Sequence, residues 1–266
     1  MTAALLAEYR KLVSTRLWWI LLLLMAAYLA FLAAVIGFSL TTDATQGSVG
    51  MPTASGVEAA STVYSLINSI GYVFPLVIGS LAMTTEFRHG TVTQSLLVEP
   101  RRSVFLGAKL LAALPLGLLY GVVAALAVVA GGAPVLALAG DGAFLGDRAV
   151  IEVLLYGVLV TALWAAIGVA FGAVATNQVA AIIVIIAFTQ FVEPIARVGL
   201  GSVDSLAGVA DYLPGAAADA VMGASFFSSV GSGELLSRWV GLLVLLGYAL
   251  VLAVAGRVTT LRRDLG

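Results

Sequence analysis

LWWILLLLMAAYLAFLAAVIGFSL, residues 17–40, decides what kind of chain this is. Its 24 residues include no Asp, Glu, Lys or Arg. As an α-helix rising about 1.5 Å per residue, the run is longer than the roughly 30 Å hydrocarbon core of a bilayer. A cleaved secretory signal has a shorter apolar core of about 7–15 residues, so this run is expected to remain as an anchor. Further apolar runs follow at 63–84, 110–131, 153–175, 179–197 and 239–256. Five of the six runs lack ionisable Asp, Glu, Lys and Arg, as the cost of a charge in lipid requires. The fifth is interrupted by Glu193 after 14 residues, so its helix must begin within residues 176–178 or continue past Glu193 to span.

The composition agrees with that pattern. The 266 residues are 61% hydrophobic and 10% charged, with a mean hydropathy of +1.10, which a water-facing globule does not tolerate. We expect an all-α membrane protein with a single transmembrane domain, 1–266. The absence of cysteine rules out disulfides and thiolate metal sites.

Six spans put both termini on one face. Ten basic residues share that face: Arg10, Lys11, Arg16, Arg88, Arg101, Arg102, Lys109, Arg257, Arg262 and Arg263; only Arg148, Arg197 and Arg238 lie on the other. The positive-inside rule makes the first face cytoplasmic. Residues 1–16 place Leu5, Leu6, Tyr9, Leu12 and Val13 at helical spacing, reading as an interfacial amphipathic helix or as a basic flank orienting the first span. Trp18 and Trp19 suit an interfacial anchor. Outside, 41–62 reads as a Thr-, Ser- and Gly-rich loop, and 132–152 as a second connection. The segment 198–238 is apolar for a loop; Val203, Leu206, Ala210 and Leu213 recur at helical intervals before Pro214, where a new helix can start. Two short helices that dip into the outer leaflet or cap the bundle are expected there, against the plainer reading of a surface loop.

Only TNQ separates the fourth and fifth spans, which predicts adjacent antiparallel helices. Gly117 with Gly121, and Gly168 with Gly172, have the small-xxx-small spacing that lets helix backbones approach.

Several chemistries find no residues. There is no phosphate-binding GxxxxGK[ST] loop, so the chain is not expected to hydrolyse ATP itself. One histidine and no cysteine leave transition metals almost without ligands. His89 lacks a plausible fixed partner for a nucleophilic triad. Buried acidic pairs of the kind found in proton relays are missing from the six runs.

One polar stretch remains, TEFRHGTVTQSLLVEPRRSVFLGAK, residues 85–109, between the second and third spans. Gly90 permits a change of direction, Thr91 to Leu97 reads as a short helix with Val92, Leu96 and Leu97 as apolar contacts, and Pro100 ends it. Arg101, Arg102 and Lys109 mark the return to the bilayer and can snorkel to phosphates.

The order EFRHGT at 86–91, LL at 96–97, PRR at 100–102 and Lys109 resembles the internal loop of ABC-2 type transporter permeases, the membrane subunits of many bacterial ABC exporters. The resemblance extends over the whole chain, from the N-terminal helix through six spans to short re-entrant helices ending near YLPG. It implies a permease homodimer in the bacterial inner membrane, paired with two separate ATPase subunits that hold ATP and Mg. It implies no cofactor in this chain and no nucleic-acid partner. It further implies a coupling helix in 85–109 that docks on the ATPase, and a substrate path around spans two and five.

On that resemblance the coupling candidates are Glu86, Arg88, Gly90, Thr91, Gln94, Leu96, Leu97 and Arg101. For Glu86 and Arg88 a local ion pair is an equal reading. Asn68, Phe74 and Pro75 are candidates to line or bend the pathway, although Asn68 also suits a hydrogen bond to a neighbouring helix. Glu193 and Arg197 sit four apart across Pro194; they either pair with one another at the outer interface or contact cargo. The cargo class that suits the walls is hydrophobic or amphipathic. A secondary carrier and a non-transporting scaffold or sensor stand as alternatives.

Overall fold

The computed structural model describes residues 2–41, 55–98, 100–140, 142–203, 205–227 and 235–260. Among them every regular element is a helix: α1 (Thr2–Ser14), α2 (Leu17–Thr41), α3 (Gly56–Tyr64), α4 (Leu66–Ser69), α5 (Val73–His89), α6 (Thr91–Val98), α7 (Arg102–Ala139), α8 (Arg148–Val174), α9 (Gln178–Ala187), α10 (Glu193–Gly201), α11 (Ala207–Ala210), α12 (Pro214–Met222) and α13 (Arg238–Thr259), with a π-helical turn, Phe188–Val192, between α9 and α10. Six helical stretches are long and apolar enough to cross a membrane: Leu17–Thr41, Gly56–His89, Arg102–Leu138, Arg148–Val174, Gln178–Gly201 and Arg238–Thr259. This is the architecture of a multi-pass membrane protein.

The helix α8 is central, packing along α5 on one side and α7 on the other, with α2 beyond α7 and α13 and α12 against α8. Glycines set these distances. A Cβ on Gly117 or Gly121 would fall 2.6 Å from the Ala162 Cα or 2.7 Å from the Val158 Cα of α8, and one on Gly168 would strike the Leu76 carbonyl oxygen of α5. Both small-xxx-small pairs therefore mark real helix contacts.

Three expectations need correction. The outer connection 41–62 is not all loop: Gly56–Tyr64 is helical, with Ala59, Ala60 and Thr62 buried, because its alanines and valines supply an apolar face among the serines and threonines. Residues 42–54 lie outside the described residues. The third span runs on to Leu138 instead of ending near Gly131, with Pro115 and Pro134 accommodated inside α7. After the TNQ turn, α9 leaves α8 and packs chiefly on α5. The fifth span meets its length requirement both ways: it begins at Gln178, where the Asn177 side chain accepts from the Val179 and Ala180 N–H groups, and it runs through the π-helical turn and on past Glu193 to Gly201.

The second span is broken. Its helix is interrupted at Ser65 and again at 70–72, and Pro75 falls in the first turn of α5, where the hydrogen it lacks has no intrahelical partner anyway. Pro214 opens α12 at its first position, and every residue of that helix except Ala216 is buried.

Candidate functional site

At one end of the bundle the chain turns from α5 into α6 through Gly90, whose φ of +66° lies in the left-handed region that favours glycine. That turn points α6 across the ends of the spans. Val92 is buried, and Leu96 packs on a cluster containing Met83, Phe105 and Val169. Thr93 and Gln94 face outward, and Leu97 is 78% exposed. Leu97 was expected to share the packing of Leu96; the two are consecutive, so the helical turn of about 100° per residue points them apart. Thr91 is half-buried at the start of α6. Arg101, exposed, is the N-cap of α7.

Under α6 lies a four-membered ionic cluster. Lys109 of α7, only 2% exposed, donates to Glu8 Oε2 at 2.6 Å and to the Ala82 carbonyl at 3.2 Å. Its ammonium is also 2.9 Å from Glu86 Oε1 and 5.0 Å from the centre of the Phe105 ring. Lys11 of α1 donates to Glu8 Oε1 at 2.7 Å, to Glu86 Oε1 at 2.8 Å and to Ser95 Oγ of α6 at 3.2 Å. Two carboxylates and two ammonium groups thus cancel while joining α1, α5, α6 and α7. Burial alone would raise the Glu8 carboxyl, but Lys109 and Lys11 outweigh it and hold it below its ordinary value. Burial would likewise lower Lys11, and its bonds to Glu8 and Glu86 keep it above its ordinary value. Glu86 Oε2 is buried without a hydrogen-bond partner.

Two assignments change here. Glu86 does not pair with Arg88, because α5 directs them to different sides: Arg88 donates to Gln178 Oε1 at 3.2 Å instead. Lys109 does not snorkel to the membrane surface, because two buried carboxylates claim it first.

A second polar network fills the bundle nearer its middle. Asn68 of α4 donates to the Gly215 carbonyl at 3.0 Å and to Asp219 Oδ1 at 2.5 Å, and accepts from Trp164 Nε1 at 2.8 Å. Arg197 Nη1 donates to Asp219 Oδ2 at 2.7 Å, and its Nη2 lies 3.4 Å from Glu193 Oε1. Tyr72 donates to Glu193 Oε2 at 2.6 Å, Gly215 N–H donates to Glu193 Oε1, and Ser225 donates to Asp219 Oδ2 at 2.6 Å. Glu193 is 1% and Asp219 0% exposed. Trp164 lies about 24 Å along α8 from Arg148 and about 15 Å from Val174, so the network reaches well into the bundle. Buried acidic pairs were expected to be missing from the spans. Glu193, within the fifth spanning helix, is nevertheless half of one, because α12 folds back to bring Asp219 to Arg197, which contacts both acids.

Asn68 and Glu193 therefore belong to one network, whereas Phe74 turns away and meets Tyr28 of α2 with ring centres 6.2 Å apart. Sequence reasoning missed Glu8 and Lys11 as site members, and Tyr72, Trp164, Asp219 and Ser225 altogether. The available signals were Glu8 and Lys11 three apart on α1, and a lone aspartate in the apolar run PGAAADAVMG. Among the described residues no group of three His, Cys, Asp or Glu side chains is placed to hold a metal ion. No protein-family model matches this chain, and no curated protein does.

Proposed function

We propose that this chain is the permease subunit of an ATP-driven exporter of the ABC-2 type, acting as a homodimer with two separate ATPase subunits that bind ATP and Mg. In this reading it lies in a bacterial inner membrane with both termini in the cytoplasm and moves a hydrophobic or amphipathic molecule through the dimer interface. The helix α1 lies at the cytoplasmic membrane surface, where its exposed Leu6 and Tyr9 meet lipid, and α11 and α12 form the re-entrant segment.

The observation that carries the proposal is α6. Its outer face of Thr93, Gln94 and Leu97 is open, while Val92, Leu96 and Ser95 fasten its inner side to the ends of the second and third spans and to α1. A push on such a helix moves several span ends together, which is what a subunit driven from outside the membrane needs. Leu97→Asp tests the proposal cleanly, because Leu97 supports no core packing. The variant should assemble normally and lose ATP-driven transport; full retention of drive contradicts the proposal.

A secondary carrier is the second reading, favoured by the buried Glu193, Asp219 and Arg197 beside a broken second span and a π-helical turn. Gradient-driven flux through the chain alone in liposomes would select it over the first.

A further inference from the structure

We propose that the cleft between α1 and the α5–α6 turn is a binding site for a lipid with an anionic headgroup and an acyl chain. A cavity of about 730 Å³ opens there, bounded by the ends of the first, second, third and fifth spans. That volume is in the range of small-molecule sites. Its inner wall is apolar, built by Leu12, Leu17, Ile78, Leu81 and Phe105, and its rim carries Lys11, Arg88 and His89.

The charges on this rim do not cancel. Glu8 and Glu86 also line the cavity, but both are matched by Lys11 and Lys109 at 2.6–2.9 Å. That leaves Arg88, whose guanidinium is bonded to the neutral Gln178 amide and meets no carboxylate among the described residues. A full positive charge therefore stands at the mouth of an otherwise neutral, apolar cleft, and it is complementary to a phosphate. Depth selects the rest of the ligand: Ile78 lies about 16 Å along α5 from His89, a reach that an acyl chain can follow and a free phosphate leaves empty. The position fits the same ligand, since the cleft joins the span ends, where lipid headgroups meet protein. The site needs neither transport nor an ATPase.

The test is native mass spectrometry of the detergent-purified chain after exposure to equimolar phosphatidylglycerol and phosphatidylcholine. Phosphatidylglycerol should be retained about fivefold more, the preference expected of one basic side chain at a headgroup. Arg88→Glu should abolish that preference and Arg88→Lys keep most of it, while Ala7→Trp, which fills the cleft from the exposed side of α1, should lower retention of both lipids. If Arg88→Glu does not assemble, Arg88→Gln serves in its place. Equal retention of the two lipids, retention of neither, an unchanged preference in the charge variant, or full displacement by inorganic phosphate would each overturn the proposal.

Discussion

Lys109 and Glu8, 101 residues apart in the chain, meet at 2.6 Å with the lysine almost wholly buried. The contact ties the N-terminal helix to the start of the third span, and Glu86 and Lys11 extend it to the second span and to α6. Displacing α6 therefore disturbs a cluster in which Glu8, Glu86 and Lys109 are buried.

Lys109→Met should destabilise the protein by about 3–5 kcal/mol, since it leaves buried carboxylates undercompensated. Thermal unfolding in detergent measures the loss. The double variant Glu8→Gln, Lys109→Met should recover a good part of it, because removing both charges spares the desolvation penalty. A single variant as stable as the parent would contradict this role for the cluster.

The docking of α1 should depend on pH in two windows. Glu8, lowered from about 4.5, supports docking fully above that value and loses it as pH falls through the lowered one. Lys11, raised from about 10.5, supports docking below that value and loses it as pH rises through the raised one. The chain has no cysteine, so Ala7→Cys and Gln94→Cys provide two clean spin-label sites. Their distance distribution should be narrow at neutral pH and broaden at both extremes; constancy throughout would count against the ionic clamp.

Asn68→Leu should cost several kcal/mol, as it leaves Trp164 Nε1 without its acceptor and takes a donor from Asp219, each buried group losing about 1–3 kcal/mol. Asn68→Asp, which keeps the acceptor but brings a third carboxylate to the network, should be worse than Asn68→Gln. Folded yield and unfolding midpoint give the ranking.

Glycine positions offer a steric control. Gly168→Ala should destabilise by about 1–3 kcal/mol, because its Cβ meets the Leu76 backbone. Gly107→Ala faces open space inside α7 and should stabilise by up to about 1 kcal/mol. Equal effects at the two sites would mean that α5 and α8 are not in close contact.

The spans and the α6 helix were legible because each rests on local signals: uncharged runs of bilayer length, a turn glycine, a terminating proline. The ionic cluster was not. Lys109 follows a basic stretch and looks like a membrane-surface lysine until α1 delivers Glu8 to it. Asp219 sits in what reads as a connection, and only the fold-back of α12 brings it to Arg197 and Asn68. The helix Gly56–Tyr64 was hidden by serine, threonine and glycine around it, and the π-helical turn has no sequence signature of its own. Long-range partners decide which charges are buried, and hydropathy along the chain does not contain them.

A photo-crosslinking residue placed at Leu97 in the native membrane tests the central claim most directly. The account predicts an adduct with a P-loop ATPase subunit, formed by the chain labelled at Leu97 alone and lost when Gln94→Glu also places a charge on the same face of α6. Crosslinks to lipid alone, or to no nucleotide-hydrolysing protein, would contradict it.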